Sequence, residues 1–408
     1  MSQNAKLEIW GRKTLDAAWT QKGVLFWLLS PFLIFVSFCW FVVTSRKIQQ
    51  RRLIKVPDYP RILCIGNVLV GGTGKSPILR ALAIRLLEKG HDVCIFTKQL
   101  KKSVAKDVLW NSEKLQEQHW KELGDESLEH LLLLLPIAQK YGRKLFLVES
   151  TERGKSLEIF SSYAHQCGYS LKEIVCLVDD GLQSNKFSSH LEICVWDPDL
   201  VFTSPPFSIP IGPYREGFGA GFSRILNRHS IRLWSRCQES PGQLEKFYAK
   251  IKKALHRFGL VFQQGRDFPV TYDFKAARLD GFEPATCTLN VSPLDVDALK
   301  LWNTTGWMVV TGIARPERLL KDLERMRKGC TQEMNIVLMG DHAPLTDEVL
   351  QQMHLAKGVV LTLKDLARFL TDSRFESLLH SKPVHVCQIA VSISTWETFE
   401  ELVWKGNL

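Results

Sequence analysis

A short apolar run at residues 62–65 stops at Gly66-Asn67-Val68-Leu69-Val70-Gly71-Gly72-Thr73-Gly74-Lys75-Ser76-Pro77, and an amphipathic stretch follows. No other feature restricts the fold as much. A strand that turns this sharply into a helix gathers loop N–H groups and the positive helix end around one small volume. Gly71, Gly72 and Gly74 allow backbone amides to face phosphate oxygens without Cβ clashes, with Thr73 between them. At the helix start, Lys75 can reach β- and γ-phosphates and Ser76 can ligate Mg2+. A complete loop of this type has one more glycine five residues before the Gly-Lys-Ser triplet, and Leu69 occupies that place. The context still predicts a nucleotide site.

Beyond the loop, β-rich runs alternate with helical periodicity. Residues 61–65, 92–97, 144–149, 173–178 and 192–196 read as strands, and 77–89 and 127–140 as helices. That order predicts an α/β fold with mostly parallel strands and helices on both faces. The Pro/Gly-rich stretch 204–221 is a large loop, and a second α/β unit begins near residue 240. In it, 270–291 reads as hairpin material turning at Asp280-Gly281, followed by strands at 307–312, 335–339, 358–362 and 384–391. The expected organisation is a tail over 1–23, a transmembrane anchor over 24–45, a nucleotide-binding domain over 55–240 and a second domain over 241–408. The two lobes would each carry a parallel sheet, and the cleft between them is a natural substrate site.

The anchor rests on residues 24–43, twenty residues without a charge, about 30 Å as a helix and long enough for a bilayer core. Arg46, Lys47, Arg51, Arg52 and Lys55 follow it. This cluster predicts that the later domains are cytoplasmic and close to anionic lipid headgroups. The net charge of +10 favours anionic partners, but no nucleic-acid-binding motif is present. The ten cysteines form no CxxC pair and no Cys/His cluster, which speaks against zinc and a disulfide framework.

A second motif, Val178-Asp179-Asp180-Gly181-Leu182-Gln183, ends a predicted strand. An apolar strand closing on a carboxylate can hold Mg2+ beside a phosphate loop, although Asp-Asp-Gly is also ordinary turn chemistry. Gly124-Asp125-Glu126 precedes a helix and reads equally as a cap. Asp341-His342, Gly212-Pro213-Tyr214-Arg215-Glu216 and Thr362-Leu363-Lys364-Asp365 are each weak taken alone.

Taken in order, the membrane stretch, GNVLVGGTGKSP, GDE, VDDGLQ, GPYRE, GIARPER, DHAPLT and LTLKD resemble the tetraacyldisaccharide 4'-kinase family, the lipid A 4'-kinases of Gram-negative bacteria. The resemblance covers most of the chain, and the family itself lacks the glycine replaced by Leu69. It implies transfer of the ATP γ-phosphate to the 4'-hydroxyl of a tetraacyldisaccharide 1-phosphate, at the cytoplasmic face of the bacterial inner membrane. By matching motif, Lys75 would hold phosphates, and Ser76, Glu216 and one or both of Asp179 and Asp180 would bind Mg2+. Asp125 with His342 would activate the sugar hydroxyl, and Arg215 and Gln183 would contact phosphate or sugar. The departures cluster near the acceptor: Thr97-Lys98-Gln99-Leu100 for a Ser-Arg-Gly-Tyr motif, Ser184, Ala314, Ala343 and Leu363. They keep open the alternative of a nucleotide-binding membrane scaffold or regulator without kinase activity.

Overall fold

The computed structural model describes residues 24–49, 59–70, 73–98, 107–113, 120–184, 186–203, 207–215, 230–235, 237, 241–294, 302, 306–313, 316–326, 335–393 and 395–405. Among these, thirteen strands form a single sheet. In chain order they are β1 (Arg61–Gly66), β2 (Asp92–Lys98), β3 (Val108–Asn111), β4 (Leu145–Ser150), β5 (Ile174–Asp179), β6 (Leu191–Trp196), β7 (Ser230–Ser235), β8 (Asp267–Glu283), β9 (Thr288–Pro293), β10 (Trp307–Thr311), β11 (Asn335–Leu338), β12 (Gly358–Thr362) and β13 (Val384–Ile393). Across the sheet the order is β11-β10-β12-β13-β8-β7-β6-β1-β5-β2-β4-β3, with β9 paired to β8.

Most pairs are parallel, as the alternating pattern predicts. The exceptions are β3 with β4, β8 with β9 and β8 with β13. Where the sequence suggests a parallel sheet in each of two lobes, the chain builds one mixed sheet. The seventeen-residue β8 is the join. Its first residues run parallel to β7, and residues 270–279 run antiparallel to β13. Asp280-Gly281, expected as the hairpin turn, lies inside β8 at a register shift. A glycine in a strand suits such a bulge, and the turn comes later, where Cys287 N–H donates to the Pro284 carbonyl.

Helices cover both faces. They are α1 (Val24–Gln49), α2 (Lys75–Glu88), α3 (Asp125–Lys140), α4 (Arg153–Cys167), α5 (Pro198–Thr203), α6 (Pro241–His256), α7 (Pro316–Met326), α8 (Asp347–Leu355), α9 (Leu363–Leu370), α10 (Ser373–Ser381) and α11 (Trp396–Lys405). Strand side chains alternate between two cores, as period-two geometry requires. Leu63, Ile65, Val93 and Ile95 pack with the leucines of α2 and α3. Ile62, Cys64, Cys94 and Phe96 face the other way, with Leu157 and Phe160 of α4. Because β1 is buried on both faces, its carboxyl end delivers the glycine loop from the middle of the sheet.

The last helix returns to the first half of the molecule. Phe399 meets Phe268 edge to face at 5.5 Å, Glu400 lies between Arg85 and Lys89, and the Arg61 guanidinium donates to the Val403 carbonyl.

The N-terminal helix α1 spans 26 residues. Its side chains are described from Ser30 to Arg46, and among the described residues no helix is long and apolar enough to cross a membrane. The expected transmembrane span is therefore not shown. What is present is an exposed apolar face: Phe32, Phe35 and Phe38 are each at least 60% accessible.

Candidate active site

The carboxyl ends of β1, β5, β2 and β4 place the predicted motifs along one sheet edge, where open α/β sheets bind ligands. A cleft of about 1570 Å3 lies there. It is lined by Thr73–Pro77 of the loop, Asp179, Asp180 and Gln183 after β5, Arg215, and Asp341, His342 and Lys364 from the second half.

Gly74 adopts φ +87° directly before α2, a left-handed conformation that favours glycine. A Cβ there would also fall 2.3 Å from the Tyr272 hydroxyl, which donates to the Gly74 carbonyl at 3.3 Å. Thr73 is buried, and its hydroxyl accepts from Asn67 Nδ2 at 2.8 Å. Gly71 and Gly72 lie outside the described residues, as does Glu216. Leu69 is fully buried and forms a β-bridge with Tyr214. Main-chain bonds on either side of Leu69, Val70 N–H to the Pro213 carbonyl and Arg215 N–H to the Val68 carbonyl, fasten the entry of the loop to the 207–215 segment.

The two aspartates at the end of β5 have different neighbours. Asp180, at φ +53°, sits between two cations: Lys75 Nζ at 3.5 Å and Arg215 Nη1 at 2.6 Å. Burial alone would raise its carboxyl, but the Lys75 and Arg215 charges bring it below the ordinary carboxylate value. Asp179 instead accepts from the Ser76 hydroxyl at 3.4 Å, with His130 Nε2 also 3.4 Å from the same oxygen. Burial opposes its ionisation, and the His130 hydrogen bond and charge outweigh it. Its other oxygen, Oδ1, is buried without a protein hydrogen-bond partner. A hydroxyl beside an orphaned carboxylate oxygen is a hard-oxygen pair that suits Mg2+, an ion that takes its remaining ligands from waters and phosphates. Of the expected metal ligands, Ser76 and Asp179 fit; Asp180 also has a buried Oδ1 without a hydrogen-bond partner, while facing the Lys75 and Arg215 charges.

Gln183 lines the cleft while its amide donates to the Asn67 carbonyl at 2.9 Å. Arg153, at the start of α4, donates from Nε to the Asp179 carbonyl at 2.8 Å and lines the cleft as well.

Asp125 is the first residue of α3, and its Oδ1 accepts from Glu126 N–H at 3.0 Å. Its Oδ2 lies 2.6 Å from His342 Nδ1. His342 adopts φ +60° in the turn after β11, a sparsely populated conformation for a non-glycine residue. His342 Nε2 is 3.3 Å from Lys364 Nζ, which is also 3.3 Å from Asp341 Oδ1. An ammonium has no acceptor. A neutral His342 therefore accepts at Nε2 and donates its Nδ1 proton to Asp125.

These contacts set the charges. The Asp125 hydrogen bond raises His342, against its burial and the Lys364 charge. Burial would raise Asp125, but His342 and Lys364 bring it below the ordinary value. Glu126 is pushed up to about 7, by burial first and the Asp179 charge second.

The LTLKD motif also acquires a local meaning. The Thr362 hydroxyl accepts from Asp365 N–H at 3.1 Å and donates to Asp365 Oδ2 at 2.6 Å. This reciprocal cap at the start of α9 fixes the turn that aims Lys364 at His342. Asp365 also accepts from Gly312 N–H at 3.0 Å, tying β10 to the same turn.

Sequence reading missed His130, Glu129 and Arg80. His130 is fully buried in the leucine run of α3, and Glu129 pairs with Arg80 of α2 at 2.9 Å. The available signal was two ionisable residues in an otherwise apolar stretch.

Comparison with known proteins adds the final observation. Residues 25–406 match the family described as tetraacyldisaccharide-1-P 4'-kinase. A tetraacyldisaccharide 4'-kinase of Bacteroides fragilis is 25% identical over 352 residues, covering 83% of this chain and 81% of the relative. Another, from Francisella tularensis subsp. novicida, is 25% identical over 354 residues, with 86% and 92% covered. The crystal structure of LpxK from Aquifex aeolicus in complex with ATP superposes with a TM-score of 0.59 at 17% identity. That match covers 93% of this chain and 98% of that one, and shows a shared fold.

Proposed function

This chain belongs to the tetraacyldisaccharide-1-P 4'-kinase family, the ATP-dependent kinases of lipid A synthesis, and from that premise we propose how its cleft transfers phosphate. The acceptor is the 4'-hydroxyl of a tetraacyldisaccharide 1-phosphate and the donor is the γ-phosphate of ATP. The observation that carries this reading is the Asp125–His342 pair, whose imidazole lines the same cleft as Lys75 and Ser76.

A sugar hydroxyl is a weak nucleophile and needs a positioned base. The Asp125–His342 pair takes its proton as the sugar oxygen bonds to phosphorus and the bond to the β,γ-bridging oxygen breaks, releasing ADP. Asp125, already paired with one imidazole N–H, holds the ring in orientation and offsets the charge the pair gains. Lys75 neutralises the phosphates, and Asp180 with Arg215 holds the Lys75 ammonium in place. Ser76 Oγ and Asp179 Oδ1 are the oxygens that would hold Mg2+, with Glu216 a further candidate outside the described residues. When bound, the ion neutralises charge across the phosphates. Everything else is alignment and exclusion of water by the cleft.

The exposed aromatic face of α1 supports attachment to the inner membrane, with the cleft on the cytoplasmic side and the basic residues after the helix against anionic lipids. Such placement brings the cleft to an acceptor whose acyl chains stay in the bilayer.

The test is transfer of labelled γ-phosphate from ATP to purified tetraacyldisaccharide 1-phosphate by full-length protein in detergent, with Lys75→Ala as control. Labelled lipid formed by the wild type alone supports the reading. Tight ATP binding with no labelled lipid overturns it. Deleting residues 1–45 tests attachment: a truncated protein that still sediments entirely with membranes removes α1 as the anchor.

A further inference from the structure

The helix that carries the exposed aromatic face is also hydrogen-bonded to the 207–215 segment, which packs on the phosphate loop. Ser37 is buried; its hydroxyl donates to the Ser208 carbonyl at 3.0 Å, and the Ser208 hydroxyl donates back to the Ser37 carbonyl at 3.1 Å. Ile211 N–H donates to the same Ser37 hydroxyl at 3.3 Å. One turn further along, the Trp40 indole N–H donates to the Arg215 carbonyl at 2.8 Å. Ser37 and Trp40 are three residues apart, so they share a helix face, while Phe35 and Phe38 are exposed.

The segment they grip is bound just as closely to the phosphate loop. Val70 N–H donates to the Pro213 carbonyl at 2.8 Å, and Arg215 N–H donates to the Val68 carbonyl at 2.9 Å. Arg215 Nε donates to the Leu69 carbonyl at 3.2 Å, and its Nη1 reaches Asp180 at 2.6 Å. The backbone of Arg215 is therefore held from both sides: by the loop through its N–H and by α1 through its carbonyl. Its guanidinium then fixes the carboxylate that orients Lys75.

We propose that Ser37 and Trp40 are positioning residues of the phosphate site: α1, seated on the 207–215 segment, sets Arg215 against Asp180 and so prepares the cleft for a nucleoside triphosphate. The anchor helix is thereby a structural part of the nucleotide site. This rests on the reading of the cleft as an ATP site.

The experiment measures ATP affinity by equilibrium dialysis, with kcat and KM for ATP taken separately, on full-length protein in nonionic detergent micelles. Trp40→Phe keeps an aromatic ring, though a smaller one, and removes the donor, and Ser37→Ala removes the hydroxyl. Trp40→Phe is expected to weaken ATP binding about three- to tenfold, the range of one lost hydrogen bond, and Ser37→Ala, which loses two, at least as much; each should raise KM more than it lowers kcat. In an Arg215→Ala background, Trp40→Phe is expected to add less than twofold, because the group it positions is gone. Phe38→Ala, on the exposed face, is expected to leave ATP affinity unchanged. Three results overturn the proposal: unchanged affinity in Trp40→Phe, a full additional loss in the Arg215→Ala background, or an equal loss in Phe38→Ala. If the wild-type protein binds no ATP, the phosphate-site reading falls and takes this proposal with it.

Discussion

His342 Nδ1 stands 2.6 Å from Asp125 Oδ2, although 217 residues separate them in the chain. Asp125 begins a helix packed against the first half of the sheet, whereas His342 is held in a left-handed turn of the second half. Their contact is where the two halves meet as chemistry.

If the pair acts as a unit, removing either member removes most of what both provide. Asp125→Asn and His342→Ala should each lower kcat by about a hundredfold or more. The double variant should be little worse than the poorer single one. ATP affinity should stay within a few fold. Steady-state kinetics with parallel binding measurements decide this, and full additivity would separate the two residues.

The pH profile follows from the direction of the His342 shift. Asp125 raises His342 above its ordinary value of 6.5. The pair can take a hydroxyl proton only while the imidazole carries a single proton, so activity should fall as pH drops through an apparent pKa above 6.5. Lys364→Met removes a charge that lowers His342, and the acid limb should move to higher pH. A limb moving to lower pH contradicts the assignment. Stability runs the other way. A raised folded-state pKa gives a contribution that is present below the unfolded value and lost as pH rises through the folded one.

Lys75→Ala leaves Asp180 with only Arg215 and the γ-phosphate without its lysine. Transfer should fall below detection, and ATP binding should weaken. Near-normal turnover would exclude the loop from the reaction.

His130 supports Asp179 from behind and does not face solvent. Outer partners of metal ligands typically carry about ten- to a hundredfold in metal affinity. His130→Leu should therefore raise the Mg2+ concentration for half-maximal activity by about tenfold, leaving KM for ATP at saturating Mg2+ nearly unchanged. A titration of activity against Mg2+ reads both. An unaltered Mg2+ requirement would leave His130 a packing residue.

Much of this was legible before any coordinates. The apolar run, glycine loop and periodic helix are local features, and β1, the loop and α2 form where expected. Asp179 and Asp180 also fall at a strand end, because an apolar run closed by Asp-Asp-Gly leaves little choice. The division of labour between those two aspartates was not legible, since it depends on His130 and Arg215, side chains distant in sequence. Burial hid His130 itself: in a run of leucines, helix phase does not tell which polar residue faces inward. Asp280-Gly281 reads equally as a turn or a bulge, because the two call for the same residues. The single sheet was missed for a similar reason, as the length of β8 is a property of its two partners.

Leu69 first reads as a defect in a phosphate loop. Buried against Tyr214, it makes the loop's floor continuous with the segment gripped by α1. The entry of the loop at residues 68–70 is thereby tied by main-chain bonds to residues 213–215. Leu69→Gly keeps these main-chain bonds but removes a buried side chain and frees the backbone, so it should loosen the entry of the loop and speed nucleotide release, even though it restores the more familiar motif.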